Sequence, residues 1–177
     1  LLKNADIKLA DIDAYIVNRG PGSYTGVRIA MGVLKTFAQV HKKPVVPVDS
    51  LELLAGKISK LKEEFPVLLN CTRSEIFHAK YIIIDGKPEP RTSIQLTSLK
   101  IFLETSKDIP VVLHLVNPDR RIVDPLFFEL KLLPLDYPIA DALLLDRIGE
   151  HKLKSCDIDF NEPINPLYIK RDVEKRN

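Results

Sequence analysis

The sequence predicts an α/β fold, because strand-length apolar runs alternate with helix-length amphipathic segments. Two observations carry this. Ala14-Tyr15-Ile16-Val17 and Val45-Val46-Pro47-Val48 flank a segment over 25–41 with helical periodicity, the βαβ pattern of a parallel sheet. Further on, strand-like runs over 66–71 and 75–84 lead into Asp85-Gly86, a strong hairpin-turn dipeptide.

The elements follow in chain order. Leu1-Leu2-Lys3-Asn4-Ala5-Asp6 reads as the last turn of a helix, so an N-terminal portion is expected to be missing. A strand over 13–18 has the short, wholly apolar centre of a strand covered on both faces. Gly20 to Tyr24 form a loop, and a helix is expected over 25–41. Pro47 demotes the second strand to an edge or a strand end. Ser50 is a natural N-cap for a helix over 51–61. A third hairpin strand is expected over 91–96, then a helix over 98–105 capped by Thr97, and a strand over 111–116. Residues 119–133 fit no single pattern. Pro138 suits the first turn of a helix running to His151. Pro163 and Pro166 mark an irregular return, and Leu167-Tyr168-Ile169 is expected to close as a strand. The domain boundary is expected between 64 and 65. The first half, 1–64, shows only the later part of the order that 65–177 shows, as if it were a copy lacking its opening strands and helix.

Composition narrows the function classes. The 177 residues are 45% hydrophobic and 28% charged, ordinary globular usage with enough apolar material for a core. A net charge of +2, from 26 basic and 24 acidic residues, gives no field that argues for direct nucleic-acid or membrane binding. The last eight residues, with four basic and two acidic side chains, read as a solvated tail or a weak phosphate contact. Cys71 and Cys156 lack a CxxC spacing, and two cysteines make no disulfide framework. With no basic-then-apolar leader and no apolar run near the roughly 20 residues that cross a bilayer, a reducing, cytoplasmic location is expected.

The most informative segment is Gly20-Pro21-Gly22-Ser23-Tyr24-Thr25-Gly26, between a strand and a helix. Such a junction is an anion site in principle, since free backbone N–H groups and the helix dipole meet there. Three known loops fail to fit it. The dinucleotide fingerprint needs its third glycine one residue earlier, although Asp49 falls where the ribose-binding acid would. The NTPase phosphate loop needs a Gly-Lys-Ser/Thr ending. The nucleophile elbow needs glycine where Pro21 and Thr25 flank Ser23. A tight turn capped by Ser23 or Thr25 is the structural reading. A nucleotide-binding enzyme or sensor using Gly22, Ser23 and Gly26 is the alternative, weakened by Pro21, which removes a donor.

The stretch Asn18-Arg19-Gly20-Pro21-Gly22-Ser23-Tyr24-Thr25-Gly26-Val27-Arg28-Ile29 resembles the GRGPGSFTGVRIG hallmark of the TsaB (YeaZ) family. Asn18, Tyr24 and Ala30 depart from it. Pro44 to Glu52 resembles that family's second strand and helix start, and Pro166-Leu167-Tyr168-Ile169-Lys170 its PLYLR close. The resemblance implies the fold of actin, Hsp70 and sugar kinases, two ribonuclease-H-like halves, with the ATPase chemistry lost. It also implies a non-catalytic subunit without a cofactor. Such a subunit supports a TsaD-like catalytic partner, with a TsaE-like ATPase and tRNA joining through the complex, in threonylcarbamoyl transfer to the adenosine beside the anticodon. A homodimer is a further possibility that the resemblance brings.

Other candidates are weak. His41, His78, His114 and His151 are too scattered for a metal site, and His114 reads as a hydrogen-bonded core residue. Cys71 with His78 as nucleophile and base competes with a buried structural cysteine. Asp141 and Asp146, five apart, share no helix face and read as solvated. On a wheel of the 25–41 helix, Arg28, Gly32, Lys35 and Gln39 form a narrow stripe. Val27, Met31, Leu34 and Ala38 form one flank, and Ile29, Val33 and Val40 the other. The apolar arc is wider than one sheet face covers. The expected partner interface is Tyr24, Val27, Arg28, Met31, Leu34, Lys35 and Ala38, and the wheel leaves open which flank meets the sheet.

Overall fold

The structure is a computed structural model, described over residues 2–58, 61–106, 108–115, 124–133, 141–155 and 164–169. In chain order its elements are α1 (Leu2–Ala5), β1 (Tyr15–Asn18), α2 (Tyr24–His41), β2 (Val45–Val48), α3 (Ser50–Ala55), β3 (Phe65–Asn70), β4 (Glu75–Ile84), β5 (Lys87–Pro90), β6 (Gln95–Ser98), α4 (Leu99–Ser106), β7 (Val112–His114) and α5 (Asp141–Ser155). The chain divides into two compact units, Leu1–Asp49 with Asp141–Leu167, and Ser50–Ala140 with Tyr168–Asn177. The helix α5, expected inside a half over 65–177, packs instead on β1 and β2.

In the first unit, β1 and β2 pair in parallel, Tyr15 opposite Val45 and Asn18 opposite Val48. Alternation splits β1 between two faces. Tyr15 and Val17 join Val45 and Met31 in a core that Val27, Leu34, Phe37 and Ala38 of α2 complete. Ile16 points the other way, against Gly149 of α5. Leu144 and Ile148, one turn apart on α5, are buried as well, while Ile16 itself is half-buried. The glycine lets the helix backbone come down onto the strand. Lys152 of α5 also reaches the Pro47 carbonyl at 3.4 Å.

In the second unit, β3 is the central strand, antiparallel to β4 and parallel to β7. Its residues Phe65, Val67 and Leu69 pack with Leu51, Leu54, Ala55 and Ile58 on one face. Leu68 packs with Leu99, Phe102, Leu103 and Phe127 on the other. That two-sided burial explains its unbroken apolar sequence. Asp85 and Gly86 take positive φ values of 51° and 75°, which is the primed turn expected of this dipeptide.

Several sequence expectations are corrected. The third hairpin strand is two pieces, β5 and β6, both on the same edge of β4. Residues 91–94 lie opposite only Ala79 and Lys80, so two extra residues bulge out. Pro88 and Pro90 are tolerated because β5 is an edge strand. The helix α3 ends at Ala55, short of 61. Ser98, rather than Thr97, caps α4, its Oγ accepting from Ile101 N–H at 3.2 Å. Residues 131–133 run parallel beside Val111 through a single bridge. Leu167, Tyr168 and Ile169 are irregular rather than a strand. His114 is exposed, because the short strand β7 ends on it. Cys71 is exposed, just beyond the end of β3. Cys156, Pro138 and the basic tail from Lys170 lie outside the described residues.

Candidate functional site

The glycine loop leaves β1 through a set of local bonds that its sequence dictates. Asn18 Oδ1 accepts from Gly20 N–H at 2.9 Å, a side-chain turn typical of asparagine. Gly20 has a φ of +101°, a region closed to other residues without strain. Gly20–Pro21 is a cis peptide. Ser23 is the N-cap of α2, its Oγ accepting from Gly26 N–H at 3.2 Å. A Cβ on Gly26 would lie 3.3 Å from that same Oγ, so this glycine keeps the cap uncrowded. Arg19 and Asp49, at the carboxyl ends of β1 and β2, form a two-pronged ion pair at 2.5 and 3.4 Å. Leu167 N–H donates to the Arg19 carbonyl at 2.9 Å.

These bonds bear on the two readings of the loop. Gly22, Ser23 and Gly26 are all exposed. The Gly26 N–H, one of the donors that an anion at this helix start would use, is bonded to Ser23 within the cap. Asp49, the residue at the ribose-binding position of the dinucleotide pattern, is paired to Arg19. The geometry is that of a turn tied at both ends.

Beyond the cap, α2 is an 18-residue helix. Of the seven expected interface residues, Val27, Met31, Leu34 and Ala38 lie against β1 and β2 in the unit's own core. Met31 is buried, Lys35 is half-buried, and Tyr24 and Arg28 are exposed. The Arg28 guanidinium stacks on the Tyr24 ring, 3.9 Å from its centroid. The outward flank is the other one. Ile29, Val33 and Val40 are 61%, 45% and 69% exposed. Both flanks are apolar with helical spacing, so the sequence held the residues and lacked the signal that orients them.

The other candidates are not assembled. Register puts His78 opposite Leu68, three residues along the sheet from Cys71, or about 10 Å at strand rise, too far for a nucleophile and its base. His78 stands edge-on to Phe102, ring centroids 5.4 Å apart, and burial holds its pKa below the ordinary imidazole value. The Cys71 thiol is pushed above its ordinary value, by partial desolvation first and by the Glu75 carboxylate second. Asp146 is exposed on α5. Among the described residues no three of the His, Cys, Asp and Glu side chains gather as metal ligands, and no helix is long and apolar enough to cross a membrane.

With this geometry in place, the family model TsaD: tRNA N6-adenosine threonylcarbamoyltransferase matches residues 1–98. The tRNA threonylcarbamoyladenosine biosynthesis protein TsaB of Bacillus subtilis is 32% identical over 114 residues, 63% of this chain and 50% of that protein. The protein of the same name from Buchnera aphidicola is 29% identical over 84 residues, 46% of this chain and 40% of that protein. The chain belongs to this family, in its TsaB (YeaZ) group. YeaZ from Pseudomonas aeruginosa superposes with a TM-score of 0.67 at 21% identity, covering 96% of this chain and 80% of that one. At that identity the likeness to YeaZ shows the fold alone, the actin, Hsp70 and sugar-kinase type. The chain spans half or less of the TsaB relatives it matches.

Proposed function

We propose that this chain acts as a partner subunit rather than a catalyst. In this reading it supports a TsaD-type enzyme in transferring a threonylcarbamoyl group to the adenosine beside the tRNA anticodon, and tRNA and a TsaE-type ATPase join through that complex. One observation carries the reading. The helix after the glycine loop turns three β-branched residues, Ile29, Val33 and Val40, out to solvent, on the side away from its own core. Exposed apolar residues gathered on one helix face mark an interaction site. The names of the TsaB relatives support the pathway.

The test uses the two flanks of α2 in turn. Leu34→Glu places a carboxylate against the core cluster of Tyr15, Val17, Met31 and Val45, forfeiting up to about 1.5–3 kcal/mol of burial and adding the cost of an unpaired charge. It is expected to unfold the first unit. Val33→Glu is expected to keep the wild-type circular dichroism and melting point and to lose the complex with the TsaD-type protein of the same genome in size exclusion. A Val33→Glu protein that still co-elutes with its partner would sink the reading.

A further inference from the structure

The chain passes between its two units at Asp49–Ser50, at Ala140–Asp141 and at Leu167–Tyr168. Arg19, the residue that leads from β1 into the glycine loop, is bonded to the first-unit side of two of these junctions. Its Nε donates to Asp49 Oδ1 at 2.5 Å, and its Nη2 to Asp49 Oδ2 at 3.4 Å. Its carbonyl accepts from Leu167 N–H at 2.9 Å. Its own N–H donates to the Val48 carbonyl at 3.0 Å, which fixes its backbone to the end of β2. The next residue touches the same return segment. A Cβ built on Gly20 would stand 3.7 Å from the Leu167 carbonyl oxygen. Asp49 lies between the end of β2 and the first residue of α3. Leu167 follows Pro166, which has no N–H to give. The two junctions are more than a hundred positions apart in sequence and meet at one residue.

We propose that the start of the glycine loop is a clasp: through Arg19 it ties the connections at 49–50 and 167–168 to the end of β1 and makes them open together. The loop then has a conformational task that calls for no ligand. An ion pair wholly in solvent contributes little, whereas a two-pronged guanidinium–carboxylate pair is among the stronger contacts. Here the Arg19 and Asp49 side chains are 36% and 20% exposed, so the pair is partly shielded from water. A connection that is let go regains conformational entropy, and proteins open locally in cooperative pieces rather than bond by bond. The coupling has a direction that can be read. Leu167 N–H is bonded to the Arg19 backbone and not to its side chain, so a change at Asp49 reaches Leu167 through the clasp. When the guanidinium leaves Asp49, the Arg19 backbone loses the restraint that aims its carbonyl at Leu167.

The experiment follows amide hydrogen exchange by NMR in the whole chain, for wild type, Asp49→Asn, Arg19→Gln and the conservative Arg19→Lys. Asp49→Asn and Arg19→Gln are each expected to speed exchange about threefold to tenfold at Leu167 and at 49–51 together, the effect of losing a partly shielded charged pair. Arg19→Lys, which keeps the charge without the fork, is expected to fall between them and wild type. Val17, Val46 and Leu68, inside β1, β2 and β3, are expected to keep their exchange rates within about twofold. The melting point is expected to fall by no more than about 4 °C. An Asp49→Asn protein that exchanges faster at 49–51 while Leu167 keeps the wild-type rate overturns the clasp, because the two connections are then held separately. Unchanged rates at both places overturn it as well. So does acceleration that reaches Val17 and Val46 equally, or an Asp49→Asn chain that fails to fold, since the pair then belongs to the core of the first unit. If Arg19→Gln alone fails to fold, Asp49→Asn decides, as it removes the pair and leaves Arg19 in place.

Discussion

The packing of α5 on β1 makes a prediction whose size follows from the geometry. A Cβ built on Gly149 would lie 2.4 Å from Ile16 Cγ2 and 2.6 Å from both Cδ1 and Cγ1. Carbon atoms rest at about 3.5–4.0 Å, so Gly149→Ala requires a shift of about 1 Å. Isoleucine is branched at Cβ and stiff at χ1, and two of the three clashing atoms are bonded directly to that Cβ. A simple swing of the side-chain tip therefore gives little relief. Overpacking of this kind costs about 1–3 kcal/mol, and three simultaneous clashes point to the upper end. Alanine returns about 1 kcal/mol of helix propensity. The net loss is expected to be about 2 kcal/mol, or a fall in melting point of about 4–8 °C in a chain of this size. Urea denaturation of wild type, Gly149→Ala, Ile16→Ala and the double variant forms the cycle. In the Ile16→Ala background the clash is gone, and Gly149→Ala should be neutral or stabilising. If Gly149→Ala stabilises the wild type, or costs the same in both backgrounds, the close approach of α5 to β1 is wrong.

Two further outcomes concern single titrating groups. Burial depresses the folded-state pKa of His78, so below about pH 6.5, its unfolded value, the unfolded chain binds the proton more readily. Stability from this residue is complete above that pH and falls as pH drops toward the folded pKa, and urea midpoints of wild type and His78→Gln should diverge between pH 7.5 and 5. Cys71 is exposed with its thiol pKa raised by partial desolvation and by Glu75. Iodoacetamide should therefore modify it more slowly at pH 8 than it modifies an unperturbed thiol, and Glu75→Gln should speed that reaction. An unchanged rate would remove Glu75 as a cause.

Local chemistry determined a good part of this molecule without help from the fold. Ser23 caps α2 because a serine oxygen three residues before a glycine N–H meets a bond that the helix start leaves unmade. Asp85-Gly86 forms the hairpin turn because both backbone positions need positive φ. The apolar runs of β1, β2 and β3 predicted strands, the first of them covered on two faces, and the hallmark around the glycine loop carried the family. What only the tertiary structure decided is which neighbour each surface meets. Periodicity marks Met31 and Leu34 on one flank of α2 and Ile29 and Val33 on the other, and both sets satisfy the same spacing. Only the sheet beneath chooses between them, and it takes the first. The same holds for α5, whose small Gly149 is a weak helix residue until Ile16 of a strand more than a hundred positions earlier lies against it. It holds also for Leu167, whose strand-like surroundings end in one backbone bond to Arg19. A sequence records the spacing of apolar and polar groups along one chain. The partner across a contact is set by chain segments distant in sequence, through loop closure and packing, and those terms have no local signature.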